Sequence, residues 1–264
     1  MGLLLKEGID IDLVKTALIA FFSIGFLIAL INYLSVFKTK LPNYSLQLAG
    51  LIGNTSFLGI PIAIALLPTN TINFTIGFDL GTTLFAWIFG PFFLQKKEDP
   101  KTNINLKELL KAILNSPASR GIIGVLIAYL FGLEGVLGAY LWIPARIVIF
   151  LAIIVVGTRL GIITNKKDNF LEINKINKGI KNSIILKLFI FPLLIFFVSN
   201  ILNFELNETS AIVLQAGTPS AVSTILMAEA YKTNQKIAAT ILFTTTLISI
   251  VTIPLLAFLL NIAN

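Results

Sequence analysis

The chain contains no cysteine and no histidine. The first absence removes disulfide and thiolate chemistry. The second removes the commonest general base and the commonest metal ligand. Charge is scarce too: 12% of residues are Asp, Glu, Lys or Arg, well below the roughly 25% of soluble domains. The opening MGLLLKEGID has no basic region ahead of an apolar core and no small-residue cleavage site, so it does not read as a secretory signal. What is abundant is apolar surface. Of 264 residues, 56% are hydrophobic, and the mean hydropathy is +0.91. Such a chain is a polytopic membrane protein with the lipid bilayer as its solvent. In so apolar a chain the net charge of +7 marks cytoplasmic loops rather than nucleic acid, and no nucleic-acid partner is expected.

Eight apolar segments reach spanning length, near 13–36, 44–67, 73–95, 118–133, 140–163, 183–203, 209–231 and 237–261. The loops between them alternate in charge. Lys38 and Lys40 follow the first segment, Lys96, Lys97, Lys101, Lys107 and Lys111 the third, Lys166, Lys167, Lys175, Lys178 and Lys181 the fifth, and Lys232 and Lys236 the seventh. The intervening loops carry no Lys or Arg. Basic loops face the cytoplasm, so both termini are expected outside, in a multi-pass protein of the plasma membrane. Lys6 and Lys15 run against this and are offset by Glu7, Asp10 and Asp12. Within 96–117, Leu106, Leu109, Leu110 and Ile113 share one helical face, which reads as an amphipathic helix on the inner surface or as a solvated linker, closed by Pro117.

Two segments are wrong for an unbroken helix. In LAGLIGNTSFLGIPIAIALL (Leu48–Leu67), Gly53, Asn54, Gly59 and Pro61 crowd together. Ser210–Tyr231 is interrupted in a comparable way around AGTPS, with Pro219 making the break. Broken helices at mid-depth are the sequence pointer to a transporter's binding site. Each is followed by a threonine-bearing helix with a late proline: Thr82, Thr83 and Pro91, then Thr244, Thr245, Thr246 and Pro254. By the loop charges the first broken helix leaves the cytoplasm and the second enters it, an inverted repeat. One membrane transport domain results. Residues 1–95 form a truncated first repeat, 96–117 a cytoplasmic linker and 118–264 the second repeat. Five helices in the later block imply five in the earlier one, so two more are expected ahead of residue 1.

Asn54, Thr55 and Ser56 flank the first break, and Gln215, Thr218 and Ser220 the second. These neutral groups, with two half-helix N-termini, suit a small carboxylate. The alternative is that they glue helices together. Asp79 lies inside the third segment, where a carboxylate is costly; it is a coupling or gating candidate or a vestibule residue. Glu229 reads as interfacial. Arg146, Arg159 and Lys187 sit near helix ends and read as snorkelling side chains.

GNTSFLGIP at 53–61 and LQAGTPSAVSTILMAEAY at 214–231, with Asp79 and LKLFIFPLL at 186–194, resemble the auxin efflux carrier family, which includes malate and malonate permeases. The resemblance implies a ten-helix, five-plus-five inverted repeat similar to bile-acid sodium symporters, of which the eight helices here match the third to tenth. The absent pair belongs to the family's scaffold or dimer-forming part, so a homodimer is implied. It also implies a small organic anion as substrate, held by Asn54 and Pro61 on one side and by Gln215, Thr218 and Pro219 on the other. No cofactor or metal is expected, and coupling to H+ or Na+ stays open. The expected function is a secondary carrier working by alternating access; the alternative is a truncated or partner-dependent remnant that does not transport. An enzyme lacks its base and nucleophile, and a channel lacks a ring of charges.

Overall fold

The computed structural model describes residues 2–95, 114, 117–165 and 177–260, and the backbone alone of Arg146 and Arg159. The helix expected within 96–117 lies outside the described residues. Among those described, the architecture is all-α, with one isolated antiparallel bridge and no strand. In chain order the helices are α1 (Gly2–Glu7), α2 (Ile11–Tyr33), α3 (Ser35–Lys40), α4 (Tyr44–Ala49), α5 (Ile60–Leu66) and α6 (Ile72–Gln95). There follow α7 (Pro117–Leu130), α8 (Glu134–Asn165), α9 (Lys178–Ile185), α10 (Phe191–Ile201), α11 (Leu206–Ala216), α12 (Val222–Ala230) and α13 (Gln235–Leu259).

Four helical runs are long and apolar enough to cross a membrane: Ile11–Tyr33, Thr69–Leu94, Lys178–Ile201 and Gln235–Leu259. The two segments read as broken come in pieces. α4 ends at Gly50 and the helix resumes at Thr55; α11 ends at Gly217 and α12 starts at Val222. The first break is therefore narrower than the spread of glycine and proline suggests, because Gly59 and Pro61 lie within helical turns. A π turn, Thr55–Gly59, accounts for this. The Gly59 N–H donates to Asn54 O, five residues back, at 3.1 Å. The widened turn takes up the proline, which has no N–H and would otherwise clash with the preceding turn. The same device recurs at Pro192, where the π turn Leu186–Ile190 joins α9 to α10.

α2 and α6 pack through small residues. A Cβ at Gly77 would strike the Leu13 carbonyl and the Thr16 hydroxyl, and one at Gly81 the Ala17 carbonyl. Spaced four apart, the two glycines let the backbones approach closely. Asp79 lies midway between them in sequence, about 200° around the helix from Gly77, and so faces away from α2. α9 packs on α4, with the Ser183 hydroxyl donating to Leu46 O at 2.9 Å. A main apolar core runs through α2, α4, α6, α9–α11 and α13. A smaller cluster joins Leu4 and Leu5 of α1 to Ile72, Ile76, Val125 and Ala128. Outward-facing Phe22, Phe26, Ile250, Val251 and Phe258 are exposed, as residues facing lipid must be.

Gly81→Val is expected to force α2 and α6 apart and lower stability by about 1–3 kcal/mol. Thermal unfolding of the purified variant checks this, and an unchanged melting temperature contradicts the close packing.

Candidate functional site

The two broken segments meet each other. The Asn54 N–H donates to Pro219 O at 2.8 Å, and the Ala221 N–H donates to Ile52 O at 3.0 Å. Gly53 and Ser220 form the centre of this antiparallel pairing. Residues that have left a helix need new partners for their backbone groups, and hydrocarbon supplies none. Here each break supplies the other's.

Helices behind the crossing complete it. The hydroxyls of Thr55 and Ser56 both donate to Asp79 Oδ1, at 2.5 and 2.6 Å. The Ser220 N–H donates to Thr245 Oγ1 at 3.1 Å. The Thr218 hydroxyl donates to Gln215 O at 2.7 Å, and Lys187 Nζ to Ala216 O at 2.7 Å. Asp79 is thus a partner of the first break. The snorkelling reading of Lys187 is overturned: its side chain is fully buried (0% exposed). Its π turn aims it at the crossing, and its bond to the end of α11 holds it there. Glu229 is exposed at the end of α12.

A cavity of about 260 Å³ opens beside the pairing. Its walls include Gly53, Asn54, Thr55 and Ser56 from the first segment and Ala221, Val222 and Ser223 from the second. Both resumed half-helices therefore begin at this cavity. Neither has a side-chain cap: Asn54 and Ala221 hold the capping positions without a side-chain bond to the first turn. Their free N–H groups and dipoles face this cavity, and the Asp79 carboxylate, bound to Thr55 and Ser56, lies behind the first of them. Thr82, Thr83 and Trp87 of α6 and Phe57 line the rest.

Several buried polar atoms have no protein partner among the described residues: Asn54 Nδ2, Thr82 Oγ1, Ser220 Oγ, and both Gln215 amide atoms. A Cβ at Gly59 would overlap the Gln215 amide, so that glycine makes room for it. Of the residues expected at the site, Asn54 and Thr55 line the cavity. Thr218, Pro219 and Ser220 lie in the unwound stretch of the second segment and Gln215 in the last turn of α11, and none of the four lines the cavity. Pro61 is half-buried, shapes the π turn and also stands off the cavity. The local sequence does not mark Thr82, Thr83, Trp87, Ser223, Thr245 or Lys187 as site residues. For Thr82 and Thr83 a signal exists: they follow Asp79 by three and four residues and share its helical face.

A multi-pass, all-α membrane protein with two broken helices paired at its centre has the layout of a membrane transporter. The family model described as membrane transport protein matches residues 3–257. The chain belongs to this membrane transport protein family, the auxin efflux carriers that its motifs resemble. It is similar to an uncharacterised transporter of Methanocaldococcus jannaschii, at 25% identity over 218 residues covering 81% of this chain and 68% of that protein.

Thr55→Val combined with Ser56→Ala leaves Asp79 without its donors and is expected to cost about 2–4 kcal/mol. In an Asp79→Leu background the same pair of changes is expected to cost under about 1 kcal/mol. Denaturant unfolding of the four proteins measures the difference; equal losses in both backgrounds contradict the coupling.

Proposed function

We propose that the protein is a secondary carrier of a small organic anion, working by alternating access around the crossing of its broken segments. The observation that carries this reading is the cavity at two uncapped half-helix N-termini, beside the buried Asn54 Nδ2, which has no protein partner among the described residues. Amide donors and helix N-termini are what a carboxylate binds in the absence of a fixed cation. Asn54 and Thr55 make the cavity side of the site. Gln215, Thr218, Pro219 and Ser220 hold the second segment in place, and Pro61 sets the entry of α5. Asp79, tied to both hydroxyls of the first break, is the coupling or gating group, with H+ or Na+ as the coupling ion. A cavity of about 260 Å³ limits the substrate to a small acid.

The same reading takes the segments 44–67 and 209–231 as single interrupted crossings of opposite direction. It adds α7 and α8 to the four long helices to give eight crossings and an inverted repeat. Both termini are then outside the plasma membrane, and a homodimer is the working assembly.

Asn54→Ala is expected to abolish uptake of small carboxylates such as malate or malonate into proteoliposomes, while the variant stays folded. Wild-type transport by Asn54→Ala removes the site assignment. Asp79→Asn is expected to flatten the dependence of transport on pH or on Na+. A variant that keeps the wild-type profile for both makes Asp79 structural.

A further inference from the structure

Lys187 stands at the crossing, and the carrier reading has no use for its charge. Its side chain is fully buried, and its ammonium makes no ion pair with a carboxylate among the described residues. A buried charge without compensation is expensive. The groups around it are those that stabilise a cation. Nζ donates to Ala216 O at 2.7 Å, at the C-terminal end of the half-helix α11. The backbone N–H groups beyond that end go elsewhere, Gly217 to Val213 O and Thr218 to Gln215 O. Such a terminus carries roughly half a negative charge. The face of the Phe191 ring lies 4.9 Å from Nζ, within cation–π range. On the other side stands Gly53 of the first break. A Cβ there would lie 2.8 Å from Nζ and 2.5 Å from Thr218 Oγ1. The ammonium and the Thr218 hydroxyl therefore share the space that the absent side chain leaves.

Half-helix C-termini and unwound carbonyls are the groups with which transporters coordinate a free Na+. We propose that the Lys187 ammonium is a tethered cation, filling a monovalent-cation site between the two broken segments, so that no free cation binds there. The site consists of the Ala216 carbonyl, the Phe191 ring face, and the space beside Gly53 and Thr218. Gly53 belongs to it because any side chain at that position would displace the ammonium. Removing the lysine side chain opens the same site to a small cation from solution.

The test reads stability of the full-length purified protein. Melting temperatures are measured at equal ionic strength in choline, potassium, sodium and ethylammonium chloride. The wild-type protein, measured in the same four salts, sets the baseline for any cation bound elsewhere, as at Asp79. Lys187→Ala is expected to melt about 5 °C or more lower in choline, and to regain at least half of that drop in sodium or ethylammonium. Lys187→Gln keeps a donor for Ala216 O but no charge, and is expected to show the same cation response; it decides the matter if Lys187→Ala does not accumulate. Variants whose response to the cations does not exceed that of the wild-type protein overturn the proposal. Loss of both variants under every cation condition also counts against it, since an added cation should restore the crossing. Because the readout is stability, a failed transport assay leaves this inference standing, and a failed cation response leaves the carrier reading standing.

Discussion

The pairing of the two unwound segments is the constraint on which the rest of the molecule depends. An interrupted helix in hydrocarbon strands backbone donors and acceptors that water would otherwise take. Two backbone bonds, from Asn54 to Pro219 and from Ala221 to Ile52, let each interruption satisfy the other. Neither segment can be placed alone, so the two distant parts of the chain are locked at one point. The groups that the pairing leaves over then dictate where the neighbouring helices go. α6 must present Asp79 to Thr55 and Ser56, α13 must present Thr245 to Ser220, and the π turn between α9 and α10 must present Lys187 to Ala216. The Gly77 and Gly81 contact with α2 serves the same end, because it fixes the rotation of α6 that aims Asp79 at the break.

The two breaks are satisfied with opposite polarity. A carboxylate accepts from the hydroxyls at the start of the first resumed helix, and an ammonium donates to the carbonyl at the end of the first half of the second. Each charge sits where a helix terminus of opposite sign favours it. The cavity lies on the side of the resumed half-helices, where positive helix ends converge. The negative end of α11 is covered by Lys187.

The breaks themselves were legible in the sequence. Gly53 and Asn54 in one apolar run, and Gly217 to Pro219 in the other, stand where the helix stops, and Asp79 announces itself as a charge where charge is costly. What stayed hidden depends on partners far along the chain. GFDLG carries its two glycines in plain view, but the carbonyl that needs the space belongs to Ala17 on another helix. Lys187 near a helix end has the same local sequence whether its stem reaches out to water or inward to a carbonyl. Only the placement of α11 decides between these. Pro61 misleads for a different reason: a π turn absorbs it, and a turn of that kind has no reliable residue signature. The eight-crossing count rests on eight apolar segments supported by the loop charges, and it extends beyond the four helices whose length and hydropathy qualify them unaided.

Rigidity at the centre has a mechanical consequence for a carrier. The bonds of the crossing lie away from water, so breaking one leaves a group unpaired in a medium without substitutes. Exchange of access between the two membrane faces then costs least if the crossing keeps all of them. Asp79, Thr245 and Lys187 bind α6, α13 and the α9–α10 helix to the same point, so these helices must travel with it. α1 and α7 pack on the start of α6 through apolar side chains, Leu4, Leu5, Val125 and Ala128 against Ile72 and Ile76. Packing contacts can slide at small cost, whereas the hydrogen bonds at the crossing cannot. Under the proposed alternating access, motion falls on this apolar surface of α1 and α7 against α6 rather than on the crossing.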